Sequence, residues 1–167
     1  FNDDLEALYS SRAAAVLQRA LAGIPGAEVR RQRFEATQQA NADSTSNVIG
    51  RLPGSVPGTG TFVVGAHIDA TGMRDPLWLA DVRAGRPVQT PGGEDNASGV
   101  ACVLELARCV AEARRAGQLD LAFDLEFVAF SAEEIGLQGS DYYVERAVAQ
   151  GTPLLGTYNL DMVGYQR

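Results

Sequence analysis

The sequence predicts an α/β fold, a three-layer α/β/α sandwich around a mixed, mostly parallel sheet. Three observations predict it. Apolar strand-like runs alternate with amphipathic helical runs, the pattern that builds helix-covered sheets. The run Phe127 to Phe130 is apolar throughout, as in a strand covered on both faces. Finally, three apolar runs end in acidic or imidazole residues: His67 with Asp69, Glu133 with Glu134, and Asp161. In an open α/β sheet the strand C-terminal ends line the ligand crevice.

Taken in order, Asp3 to about Leu21 reads as an amphipathic helix, with Leu5, Leu8, Ala15, Val16 and Ala20 near helical spacing. Pro25-Gly26 stops it. Glu28 to Ala36 is an arginine-rich strand suited to a sheet edge. Gln38 to Ser46 is polar and reads as a loop, and Asn47 to Leu52 as a short strand. Pro53 to Gly60 is a turn. Its glycines invite a phosphate-loop reading, but no Lys-Ser/Thr pair follows and no helix opens there. Thr61 to Ala66 is a buried strand that delivers His67 and Asp69. Ala70 to Gly93 reads as an irregular stretch, with Trp78 either a pocket wall or a packing anchor; loops of this length are often functional.

Ala97 to Arg115 is a strong helix. Val100, Val103, Leu104, Ala107 and Val110 lie on its apolar face, and Gly117 closes it. Leu119 to Phe130 reads as a strand, alternating in its first half and apolar in its second, entering the middle of a covered sheet. Leu137 to Gln150 is a helix, and Leu154 to Leu160 a strand that ends at Asp161.

The 167 residues suit one domain, and a hydrophobic content of 46% suits a packed core. A net charge of -7 and a pI of 4.7 argue against nucleic acid or an anionic membrane as partner. No apolar run approaches the roughly 20 residues of a membrane span. Cys102 and Cys109 fall on one helix with a rise of roughly 10 Å between them, too far for a disulfide, and read as small core residues. The chain opens at Phe1, without methionine and with no signal peptide, so the expectation is a processed or excised piece, which leaves room for a leader removed earlier.

His67 is the only histidine. A lone histidine is commonly structural, but here Asp69 sits two residues on, where a carboxylate can hold the far ring nitrogen of a metal-bound imidazole. Asp95 stands just before a helix N-terminus, whose partial positive charge favours an ionised carboxylate. Carboxylates gathered in this way need protons or a cation. One imidazole with several carboxylates suits zinc, manganese or cobalt better than calcium. A glutamate pair allows one member to bind metal and the other to move a proton.

Four segments resemble, in order, the motifs of the M28 family of zinc aminopeptidases. They are Gly65-Ala66-His67-Ile68-Asp69, Glu94-Asp95-Asn96-Ala97-Ser98-Gly99, Phe130-Ser131-Ala132-Glu133-Glu134-Ile135-Gly136-Leu137-Gln138-Gly139-Ser140 and Asn159-Leu160-Asp161-Met162-Val163-Gly164. The resemblance implies that Asp95 bridges two zinc ions, with His67 and Asp161 completing one site and Glu134 binding the other ion. It implies Glu133 as general base and acid, Asp69 as the residue that orients His67, and a cis peptide at Asp95-Asn96. The implied substrate is a peptide, cut at its N-terminal residue.

The resemblance has one gap. The family carries a second histidine ligand beyond the Asp161 motif, and this chain has none. The expectation is therefore a single catalytic domain that is incomplete at its C-terminus, the N-terminal part of a longer enzyme. Two zinc ions are expected in the full-length enzyme and one or none in this chain, which is weakly active or inactive alone. An open sheet edge implies self-association or association with the missing part. The resemblance leans towards a secreted or periplasmic location. Two other readings stand beside this one. The first is a glutaminyl-cyclase-like or M20-like metalloenzyme, against which the Asp-Asn-Ala-Ser-Gly motif and the Glu-Glu pair speak. The second is a non-catalytic interaction domain on the same fold, against which the retained ligands and base speak.

Overall fold

The computed structural model describes residues 3–36, 45–72, 75–88, 90 and 92–165, with side chains described from Arg12 onward. Among these residues the elements run α1 (Asp3–Ala22), β1 (Glu28–Arg33), β2 (Ser46–Leu52), β3 (Thr61–His67), α2 (Pro76–Arg83), α3 (Ala97–Arg115), β4 (Asp124–Phe130), α4 (Gln138–Ala149) and β5 (Leu154–Asn159). The strands form one sheet in the order β1-β2-β4-β3-β5. β2 is antiparallel to both neighbours, whereas β4, β3 and β5 run parallel. The apolar run at 127–130 thus lies in the central strand, as its two-sided burial requires.

Alternate residues of the sheet feed two cores. Val48, Leu52, Val64, Ala66, Leu125, Phe127 and Ala129 face α1 and α3, which contribute Ala14, Leu17, Leu21, Val103, Ala107 and Ala111. Ile49, Val63, Val128 and Phe130 face the other way, onto Tyr143 of α4. The result is three layers. α3 carries the chain from β3 to β4 over one face, and α4 carries it from β4 back past β3 to β5 over the other. That reversal opens a crevice at the C-terminal ends of the parallel strands.

Several expectations change. The buried stripe of α1 is Ala14, Leu17 and Leu21, while Val16 and Ala20 are exposed. The stripe seats on the sheet at Gly50, where even a Cβ would come within 3.0 Å of Leu21. Leu5 and Leu8 lie outside the described side chains, and residues 38–44 of the expected loop outside the described residues. The strand expected over 119–130 begins only at Asp124. Leu121 and Phe123 do pack against the core, but the carbonyls of Leu121 and Ala122 bond to Ser55 and Val56 of the β2–β3 turn instead of joining the ladder. The stretch expected to be irregular contains α2, with Asp75 as its N-cap and Pro76 in its first turn. Cys102 is half-buried and Cys109 exposed, so Cys109 is no core residue.

Candidate metal centre

His67 is the last residue of β3 and is 3% exposed. Its Nδ1 lies 3.1 Å from the backbone carbonyl oxygen of Asp69. A carbonyl only accepts, so Nδ1 carries the proton, and in the neutral ring the lone pair sits on Nε2. Nε2 faces Asp95 Oδ1 at 3.0 Å and Asp161 Oδ1 at 3.5 Å. The ring is thereby presented as a metal ligand is, with its far nitrogen fixed by an oxygen.

That oxygen is not the expected one. The Asp69 carboxylate stands 3.8 Å from Nδ1, too far for a hydrogen bond. It accepts instead from the backbone amides of Glu133 at 3.1 Å and Glu134 at 3.0 Å. The β3 end therefore holds the segment after β4 in place. Ala132, fully buried, takes a left-handed backbone at φ 60° in the turn that leads into the glutamates. Asn47 secures the same segment from β2. Its Oδ1 accepts from Ser131 N at 3.0 Å, and its Nδ2 donates to Gly139 O at 2.7 Å and to Gln32 Oε1 at 2.9 Å.

Asp95 lies in the turn before α3, and the Asp95-Asn96 peptide is cis. Asp161 follows β5, whose parallel ladder continues through Leu160 N to Gly65 O at 2.8 Å. Two carboxylate pairs thus converge on one imidazole. The ligand atoms of His67, Asp95 and Asp161 lie within 4.8 Å of one another, and so do those of His67, Glu133 and Glu134. These are the sequence-predicted residues, brought together from four separate stretches of chain.

Electrostatics follow from the crowding. Burial works to lower the His67 pKa, but the carboxylates of Asp69, Glu133 and Asp161 outweigh it and raise it to about 9. Burial first, then the charges of Asp69, Asp161 and Asp95, push Glu133 above the usual carboxylate range despite His67. Burial, then Asp95 and Glu133, do the same to Glu134. Glu134 Oε1 is buried without any hydrogen-bond partner. A buried, unpartnered carboxylate oxygen beside other carboxylates is costly, and a cation relieves it. The imidazole-plus-carboxylate donor set fits zinc.

Sequence reasoning missed the residues that hold the ligands. Asn47 and Asn96 are buried polar side chains, and a single sequence gives no sign of a distant partner. Gly99 had a readable signal only in hindsight, a glycine in the first turn of a strong helix. A Cβ there would lie 2.3 Å from Asn96 Oδ1. Trp78 lies half-buried on α2, with its indole so close to Gly72 that a Cβ at 72 would sit 2.5 Å from the ring.

Comparison with known proteins agrees with this geometry. The model of Peptidase family M28 matches residues 47–167. A probable leucine aminopeptidase of Trichophyton verrucosum is 32% identical over 145 residues, which are 87% of this chain and 34% of that protein. The chain spans about a third of the length of the curated relatives it matches. Among solved structures, LapB from Legionella pneumophila aligns with a TM-score of 0.64 at 24% identity, covering 96% of this chain and 37% of that one. A Zn-dependent exopeptidase from Parabacteroides distasonis aligns with a TM-score of 0.66 at 19% identity, covering 98% and 62%. At these identities the structural likeness shows the fold.

Proposed function

The chain belongs to peptidase family M28, and on that premise we propose that it is the zinc-site part of a metal-dependent aminopeptidase. One observation carries the reading: an imidazole tied at Nδ1 to a backbone carbonyl turns Nε2 onto two carboxylates, beside a glutamate pair with a buried, unpartnered oxygen.

His67, Asp95 and Asp161 would hold one zinc ion. Asp95 and Glu134 would supply ligands to a second. Zinc bound there supplies Lewis acidity, which polarises a peptide carbonyl and acidifies water. Glu133 is the group left to move protons. It would take a proton from water and then give it to the leaving amine. Asp69 holds the backbone of both glutamates, and so keeps base and ligand in fixed relation. The substrate would be a peptide and the product its N-terminal amino acid, the activity that the leucine aminopeptidase relatives carry in their names.

The test is elemental analysis of the purified chain, with Asp95→Ala as control, alongside hydrolysis of aminoacyl p-nitroanilides. About one zinc per chain, lost in Asp95→Ala, and little hydrolysis are expected. A chain that binds no zinc sinks the reading that His67, Asp95 and Asp161 form a complete site within this chain. Robust hydrolysis by this chain sinks the view that it is weakly active alone.

A further inference from the structure

Asp95 and Asp161 pose a positioning problem. Both side chains are 47% exposed, and among the described residues His67 is the one group that each carboxylate pairs with. Neither is anchored by a donor of its own. Their separation is therefore set by the backbones that carry them, the turn before α3 and the segment after β5.

Two side chains join those backbones: Glu94, whose Oε1 accepts an exposed hydrogen bond from Gly164 N at 2.8 Å, and the buried Asn96. Asn96, next in sequence to Asp95, is 2% exposed. Its Nδ2 donates to Leu160 O at 2.8 Å, and its Oδ1 accepts from Met162 N at 3.2 Å and from Gly99 N at 3.0 Å. Leu160 and Met162 flank Asp161 on either side. Leu160 is tied in turn to β3 through Gly65. The surroundings are closed around the amide: a Cβ at Gly99 would lie 2.3 Å from Asn96 Oδ1 and 2.4 Å from Leu160 O.

We propose that Asn96 is a positioning residue for the metal centre, clamping the backbone on both sides of Asp161 and so fixing that ligand's distance from Asp95. The inference rests on the metal reading above. A residue that only caps α3 needs the single bond to Gly99 N, which serine also supplies. Asn96 makes two further bonds, and both go to the Asp161 segment.

Two variants separate a cap from a clamp. Asn96→Ser keeps an N-cap oxygen but is too short to reach residues 160 and 162. Asn96→Asp keeps the size and the acceptor oxygens, but places an oxygen where Nδ2 donates to Leu160 O. Zinc affinity is read by competition with a chromophoric chelator, and site geometry by the visible absorption of the cobalt(II)-loaded chain. The fold is read by circular dichroism.

Both folded variants are expected to bind zinc about 10–100-fold more weakly than the parent chain, the usual cost of losing a residue that supports a metal ligand. Their cobalt bands are expected to change shape. For Asn96→Asp the added negative charge alone would tighten cation binding, so weaker binding specifically supports the clamp. Unchanged affinity and cobalt spectrum in folded Asn96→Ser, or tighter binding by Asn96→Asp, overturns the inference and leaves the metal reading intact. If neither variant folds, Asn96 is a determinant of the fold and the inference is overturned. A parent chain that binds no zinc overturns both this inference and the reading of a complete site within this chain.

Discussion

Asp69 serves the centre with two different groups. Its carbonyl fixes His67, while its carboxylate fixes the amides of Glu133 and Glu134. The division makes a separable prediction. Asp69→Asn keeps the carbonyl but sets an NH2 group against one of two backbone donors. The Glu133 or Glu134 amide resonance is expected to move in the 1H–15N spectrum while the His67 Nδ1–H resonance stays. Zinc affinity is expected to fall about 10–100-fold. A lost Nδ1–H signal with unmoved glutamate amides would return the carboxylate to its expected role. All the converging side chains were legible in the sequence, because carboxylates at strand ends stand out from apolar runs. Which atom of Asp69 does which task was not, since spacing fixes proximity and not hydrogen-bond geometry.

At the scale of elements, legibility tracked burial. α3, β3 and β4 bury enough apolar surface for periodicity to show. α2 buries none of its residues fully, so its only sign was the Asp75-Pro76 start. The alternation at 119–123 was real but misleading, because an extended loop can alternate in burial while its backbone bonds elsewhere. The contact between β2 and α4 was invisible, and it rests on Asn47 and Gly139. A Cβ at Gly139 would lie 2.1 Å from Ser131 O and 2.5 Å from Asn47 Oδ1. Gly139→Ala must therefore push α4 off the strand, at an expected cost of about 1–3 kcal/mol, read as a lower urea midpoint. An unchanged midpoint would mean that the helix start slides freely. β4 begins with a second device. Partial burial works to raise the Asp124 carboxyl, but the Gly54 amide and Arg51 outweigh it and hold it below the usual range. A depressed folded pKa stabilises above the unfolded value and loses that contribution as pH falls. Urea midpoints measured downward through about pH 4 should drop less steeply for Asp124→Asn than for the parent chain; parallel curves would exclude Asp124 as a source of acid lability.

For the whole molecule, the strand order has a consequence in time. β3 carries the histidine, but its two neighbours in the sheet, β4 and β5, are both made after it. On a ribosome adding about 5–20 residues per second, the 94 positions between His67 and Asp161 (161 − 67) take about 5–20 s. Until β4 (Asp124–Phe130) is made the apolar β3 strand has no ladder partner, and throughout the interval the Asp161 corner of the triad has not been synthesised. Metal cannot be loaded at the His67, Asp95 and Asp161 triad before Asp161 is made, so its capture there cannot precede the synthesis of the three parallel strands.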